Sequence, residues 1–315
     1  MVFAKRIRSP RLAPLAAGVL LIGVLVISMV IVDVLQPTQN VSISSSSSTT
    51  IAHPSGRPLR ILVVGDSMAA TLAVGLQASA PHANVVVIDD GHPGCSATVT
   101  SDLWSYGVVV SPPHAPCSPD QETLLNSWRR DLQKFKPDVV LYLARSELFN
   151  QRRDGGWHFL GEPAFNAYVA TSLKKVVTAL SSSGAHVILL EPPATMVTGT
   201  SGSLPEDSPD RIRIDDKILN VLAASSKGKA SVLSLGSLLT PHLIYTSSIH
   251  GVKVRCSDGV HFTKAGGQEV AGVIFAKSWK VGQAHQQAHP ARLSIPPAFS
   301  KNTPEWYSKT ALGCQ

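Results

Sequence analysis

Two short stretches of this chain hold the residue types that nucleophilic catalysis needs: Gly65-Asp66-Ser67 near its start and Asp258-Gly259-Val260-His261 near its end. A serine hydroxyl becomes a nucleophile when an imidazole takes its proton, and a carboxylate behind the imidazole fixes the tautomer that can do so. Asp258 stands three residues ahead of His261, close enough for its carboxylate to fold back and orient the ring. Ser67 follows an apolar run and opens a helical pattern, so the free N–H groups of a helix N-terminus would lie beneath it and could stabilise an oxyanion. The chemistry implied is attack on an ester carbonyl. Each motif alone has a plainer reading: Asp66 or Ser67 as an ordinary N-cap, and Asp258 as a cap beside a surface histidine.

The elements that must position these residues are legible as alternating periods. Residues 60–64 read as a strand, apolar from Ile61 onward and ending at Gly65, as expected of a strand buried on both faces. Met68, Leu72 and Leu76 then recur four apart, a helical spacing. Further strands are expected at 85–88, 137–143, 187–190 and 231–235. Between them lie helical faces at Leu124 to Phe135, Phe165 to Leu180 (ended by Gly184) and Ile218 to Leu222, and a last helix is expected from about Thr263 to Trp279. This alternation predicts an α/β fold, a parallel five-stranded sheet with helices on both faces. Sites in such sheets form at the carboxyl ends of the strands, where both motifs fall. The Gly/Pro/Ser-rich stretch from Asp90 to about Pro119 reads as a loop.

Outside that region the composition changes. Leu12 to Leu35 is almost wholly apolar, long enough to cross a bilayer, and Lys5, Arg6, Arg8 and Arg11 precede it. The expected organisation is a cytoplasmic tail at 1–11, a transmembrane signal anchor at 12–36 and a Ser/Thr-rich flexible linker at 37–58. The globular domain at 59–280 would then be held outside the cell membrane, followed by a loose C-terminal extension at 281–315. The formal charge of +7 shrinks once the tail and Asp33 are set aside, leaving 24 basic and 20 acidic residues. No dense Lys/Arg stripe with interleaved aromatics occurs, which excludes a nucleic-acid partner. Cys95, Cys117, Cys256 and Cys314 all fall in the part expected outside the membrane, where disulfides persist. They allow three pairings; Cys95–Cys117 is favoured as the local one and leaves Cys256–Cys314. No C-x-x-C pair or His/carboxylate set has ligand spacing, so neither a metal nor a cofactor is expected. His92 and His114 lie in the long loop near the expected cleft, and Trp157, after Gly155-Gly156, is the aromatic expected to meet a glycan.

The two motifs together, Gly65-Asp66-Ser67 early and Asp258-Gly259-Val260-His261-Phe262 late, resemble the first and last blocks of the SGNH (GDSL-like) hydrolase superfamily. Gly91-His92-Pro93-Gly94-Cys95 resembles its second block, which carries an oxyanion-hole N–H to Gly94. The likeness extends to SGNH domains attached to bacterial membrane O-acyltransferases, through Gly94-Cys95 with Cys117, Glu147 with Arg152 to Gly155, and Arg255 with the Asp258 motif. It implies a flavodoxin-like three-layer α/β/α sandwich and metal-free acyl-ester chemistry. Ser67, His261 and Asp258 would be the triad, and the Ser67 and Gly94 N–H groups the oxyanion hole. The implied substrate is an envelope polysaccharide or glycolipid, with a membrane acyltransferase as partner. One block departs from the pattern. Where the third block offers Gly-x-Asn-Asp, the chain reads Ala144-Arg145-Ser146-Glu147, with Asn150 a few residues late. Its donor is then lost, replaced by Arg145, or supplied by the backbone; losing one costs ~10²–10³ in rate. Arg145 and Glu147 read either as substrate-facing groups or as a surface ion pair. The departure also supports an alternative, a catalytically weak glycan-binding or scaffold domain on the same fold.

Overall fold

The computed structural model describes residues 57–105, 107–111, 120–197, 204–290 and 314. Five strands form one parallel sheet: β1 (Leu59–Gly65), β2 (Val85–Gly91), β5 (Val139–Leu143), β8 (His186–Glu191) and β9 (Ala230–Ser234), in the order β2-β1-β5-β8-β9. Successive side chains of a strand point to opposite faces, so one apolar run supplies two cores. Leu62 and Val64 join a cluster with α2 (Gln121–Phe135), α3 (Pro163–Leu180) and α4 (Pro209–Ser225). Ile61 and Val63 join the opposite cluster with α1 (Ser67–Ser79), the short α5 (Leu235–Leu239) and α6 (Lys264–Ala288). The result is the expected three-layer α/β/α arrangement, with β1 buried along its whole length.

Helices α1 and α6 pack unusually closely. A Cβ on Gly75 would meet the Gly267 Cα at 2.4 Å, so the two backbones touch where any larger residue would part them. This contact matters for the site, because α1 opens on Ser67 and α6 opens just after His261.

Three features differ from the sequence expectation. The stretch read as a loop after β2 contains β3 (Asp102–Ser105) and β4 (Val108–Val110). With β6 (Asn150–Arg153) and β7 (Gly156–His158) these build a four-stranded antiparallel sheet, ordered β4-β3-β6-β7. Its strands are only three or four residues long, and β3 pairs with β6 across some fifty residues of chain, which no local period reveals. The last helix also runs through the boundary expected at 280 and reaches Ala288, with Gly282 and Gln286 buried. At the other end Arg57, assigned to the linker, belongs to the fold: its guanidinium donates twice to Asp138 at 2.7 Å, and Arg57 Nε donates to the His289 carbonyl at 2.6 Å. His285 Nδ1 lies 2.9 Å from the same carboxylate. Burial alone would raise the Asp138 carboxyl, but Arg57, the Arg60 N–H and His285 hold it below the usual carboxylate range. A charged cluster thus fastens the start of the domain to the end of α6, where a loose tail was expected.

Among the described residues no helix is long and apolar enough to cross a membrane. The segments expected as tail, anchor and most of the linker lie outside the described residues, as do Cys117 and His114.

Candidate active site

Ser67, the candidate nucleophile, is placed by the turn at the end of β1. Gly65 has a φ of +136°, and a Cβ there would meet the Leu143 carbonyl oxygen at 1.8 Å, so the chain can make this close pass beside β5 only with glycine. The Asp66 N–H donates to that same oxygen at 3.2 Å. Asp66 then acts in two directions. Its Oδ1 accepts from the Met68 N–H at 2.8 Å and caps α1, while Oδ2 accepts from the Arg145 N–H (2.7 Å), the Ser146 N–H (3.2 Å) and the Ser146 hydroxyl (3.1 Å). Burial pushes the Asp66 carboxyl above the usual range, against the pull of the Arg145 and Met68 N–H groups. The N-cap reading of Asp66 and the nucleophile reading of Ser67 are therefore compatible: the cap fixes the turn on which Ser67 stands.

His261, the candidate base, sits on a closed loop. Arg255 and Phe262 pair as an antiparallel bridge, the Cys256 N–H donates to the His261 carbonyl at 2.8 Å, and the Gly259 N–H donates to the Cys256 carbonyl at 3.0 Å. Inside this loop Asp258 Oδ1 accepts from the Val260 N–H at 2.9 Å and the His261 N–H at 3.0 Å. Asp258 Oδ2 lies 2.5 Å from His261 Nδ1, and His261 Nε2 lies 2.8 Å from Ser67 Oγ. Burial works to raise the Asp258 carboxyl, but the hydrogen bond and charge of His261, with the two backbone N–H groups, bring it below the ordinary value. An ionised Asp258 accepts, so Nδ1 carries the proton and Nε2 is left to accept from the serine hydroxyl. Thr71 stitches the two halves together, donating to the Ser67 carbonyl at 3.0 Å and accepting from the Phe262 N–H at 3.3 Å.

Gly94 lies in the turn after β2, with a φ of +76°. That turn is tied to the end of β1 by the His92 N–H, which donates to the Gly65 carbonyl at 2.9 Å, and is closed by the Cys95 N–H on the His92 carbonyl at 3.0 Å. Both oxyanion candidates, the N–H groups of Ser67 and Gly94, thus belong to segments anchored on Gly65.

The third block is where the reading of the sequence fails. Arg145 and Glu147 are each only 2 % exposed, so they are neither substrate-facing nor a surface pair. Arg145 Nε donates to Thr195 Oγ1 at 2.9 Å, its terminal nitrogen donates to Asp207 at 2.7 Å, and its charge lies 5.0 Å from the Phe149 ring centre. Glu147 Oε1 accepts from the Tyr142 hydroxyl at 2.8 Å and the Ala97 N–H at 2.7 Å, pinning the second-block loop onto β5. Burial raises its carboxyl, against those two donors. Ser146, which stands in the register of the absent Asn, spends its hydroxyl on Asp66. Asn150 is on β6, paired with Trp104.

Trp157 is on a strand, β7, where a loop was expected, and is about a third exposed. It meets Trp104 edge to face at 6.2 Å, a partner that sequence spacing gave no reason to choose. The small sheet leaves the main sheet from the carboxyl ends of β2 and β5, the strands on either side of β1, and so shares the edge that carries Ser67. Cys256 is bonded to Cys314, as expected; Cys95 is also disulfide-bonded, and its expected partner lies outside the described residues.

The sequence profile of the SGNH domain (fused to AT3 domains) matches residues 38–275. Among solved structures the chain is similar to the native aryl esterase of M. smegmatis, with 15% identity and a TM-score of 0.44 over 71% of this chain and 99% of that one. It is similar also to a carbohydrate esterase family 3 protein from Talaromyces cellulolyticus, with 14% identity and a TM-score of 0.41 over 72% and 99% of the two chains. A third is an acetyl xylan esterase, with 15% identity and a TM-score of 0.43 over 70% and 99%. No curated protein matches the chain.

Proposed function

The chain belongs to the SGNH domain family, and from that premise we propose that it is a membrane-anchored, extracytoplasmic serine esterase or O-acyltransferase acting on acyl esters of envelope glycans or glycolipids. One observation carries the reading: Ser67 Oγ, His261 and Asp258 form a continuous line at 2.8 and 2.5 Å, at the head of a helix. In this reading His261 Nε2 takes the Ser67 proton as Oγ attacks the ester carbonyl, while Asp258 holds the imidazolium that forms. The developing oxyanion is met by the Ser67 and Gly94 N–H groups. Collapse sends the proton from His261 to the leaving oxygen and leaves an acyl-serine. Water or a sugar hydroxyl then attacks along the same proton path in reverse, giving hydrolysis or transfer.

With the Ser146 hydroxyl committed to Asp66, the hole in this reading rests on backbone donors alone. That supports a rate ~10²–10³ below a site with a third donor. Trp157 and Trp104 offer an exposed aromatic corner on which an acylated sugar ring can stack. Residues 12–36 would hold the domain at the cell membrane and 37–56 would tether it. The family description, a domain fused to AT3 domains, supports a membrane acyltransferase as partner.

A fluorophosphonate probe tests the reading: the folded wild-type chain takes the label and Ser67→Ala does not. Absence of both labelling and aryl-ester hydrolysis in folded wild type would favour the second reading, a glycan-binding module, which the altered third block supports. Acyl content of envelope glycans with and without the gene separates the two reactions, loss marking a transferase and accumulation an esterase.

A further inference from the structure

Behind the Asp258–His261 loop lies a guanidinium that the acyl chemistry does not use. Arg255 is fully buried, and among the described residues no carboxylate hydrogen-bonds to it. One terminal nitrogen donates to the Val260 carbonyl at 2.9 Å, the other to the Ala194 carbonyl at 3.4 Å, and the group lies 4.4 Å from the Phe262 ring centre. Nε has no hydrogen-bond partner among the described residues. Burial brings its pKa down to about 10, with Tyr245 and Asp258 drawing it up and Arg145 pushing it down, so it remains a cation at neutral pH. Removing a guanidinium from water is costly, and an apolar side chain would fill the space with less penalty.

What the charge contributes is visible in one peptide plane. The Val260 carbonyl and the His261 N–H belong to the same peptide unit. Arg255 holds its oxygen, and Asp258 Oδ1 holds its hydrogen at 3.0 Å. A plane gripped at both ends cannot rotate, and the Cα that carries the imidazole is attached to it. The Phe262 ring under the guanidinium fixes the residue on the other side of His261. The second bond, to Ala194, ties this assembly to the loop after β8, whose Met196 N–H donates to the Gly259 carbonyl at 3.2 Å.

We propose that Arg255 is the positioning residue of the base, clamping the Val260–His261 peptide so that Nε2 stays aimed at Ser67 while Asp258 holds Nδ1. The inference rests on the triad reading above. It requires arginine specifically: a planar fork reaches two carbonyls while stacking on a ring, and a lysine ammonium cannot do both.

The test uses the full-length chain with Arg255→Lys and Arg255→Met, read in two ways. Aryl-ester kinetics should show kcat lowered by about 10²-fold in both folded variants, the scale of a small misplacement, with KM changed by no more than about twofold. The downfield proton resonance of His261 Nδ1–H against Asp258, absent from an Asp258→Ala control, should be lost or move upfield in the variants. A folded Arg255→Met that keeps both kcat and the resonance overturns the proposal. So does a fall in kcat that only matches the fraction unfolded and is recovered on cooling. If Arg255→Met does not fold, Arg255→Lys decides: wild-type kcat in the folded lysine variant overturns it. Should wild type itself hydrolyse nothing, the resonance still reports the clamp, so failure of the ester reading and failure of this proposal are distinguishable.

Discussion

Replacing Gly259 by alanine probes how tightly the base loop is built. Gly259 has a φ of +74°, and a Cβ there would stand 1.9 Å from the Met196 carbonyl oxygen, where ordinary contact begins near 3.4 Å. The shortfall is about 1.5 Å, and the obstacle is backbone, so the loop itself must move. An L-residue held in the left-handed region costs about 1–2 kcal/mol. The bond from the Met196 N–H to the Gly259 carbonyl, at 3.2 Å, lies on the same contact, and its loss adds about 0.5–1.5 kcal/mol. Together these predict a destabilisation of about 1.5–3.5 kcal/mol. Gly259 is also the first link between Asp258 and His261, and a shift of order 1 Å there should lower kcat by about 10²-fold. Gly228→Ala is the control: its φ is +80°, but nothing lies within 4 Å of the added methyl, so it carries the backbone strain without the collision. Urea denaturation and aryl-ester kcat, corrected for folded fraction, would be measured for both. A Gly259→Ala protein no more impaired in kcat than Gly228→Ala would refute the view that this contact aims the base.

Trp157→Ala should lower kcat/KM on an acylated polysaccharide several-fold while leaving a small aryl ester unaffected, on the order of one lost stacking contact; equal effects on both substrates would count against the aromatic corner as a glycan surface. Burial raises Asp89 to about 7 against its Gly91 N–H, so the folded protein holds a proton that an unfolded carboxylate releases near 3.9. Stability from this group is therefore lost as pH rises from about 4 through about 7, and Asp89→Asn should flatten the decline of the urea midpoint across that window; an unchanged slope contradicts it. Cys314→Ser opens a bridge spanning 58 residues, for which loop entropy gives about 4 kcal/mol, and frees the chain next to Asp258. Its midpoint should fall and its kcat with it; a variant as stable as wild type would show that the bridge does not constrain the loop.

The sheet and its covering helices were legible because their signals are local. A strand buried on both faces must be apolar throughout, as at residues 61–64, and a helix lying on a sheet must repeat its apolar residues near every fourth position, as Met68, Leu72 and Leu76 do. The turn chemistry was local too, so Ser67 and the Asp258–His261 pair could be assigned to loop edges from their neighbours alone. Polar residues carry no such period. Arg145 and Glu147 look like surface groups in sequence and are buried because Asp207, Thr195 and the Ala97 N–H arrive from distant segments to satisfy them.

What the sequence by itself determined, then, is the α/β framework and the identity of the three residues that could form a relay. That Ser67 and His261 lie 2.8 Å apart was decided by the tertiary structure, through the glycine contact between α1 and α6 and the shared hold of Thr71. So was the fate of the Ser146 hydroxyl, which Asp66 takes. So were the clamp at Arg255 and the meeting of Trp104 with Trp157. Periodic burial is written along the chain, residue by residue. Which polar group satisfies which is a property of contacts between segments far apart in sequence, and only the folded chain brings those segments together.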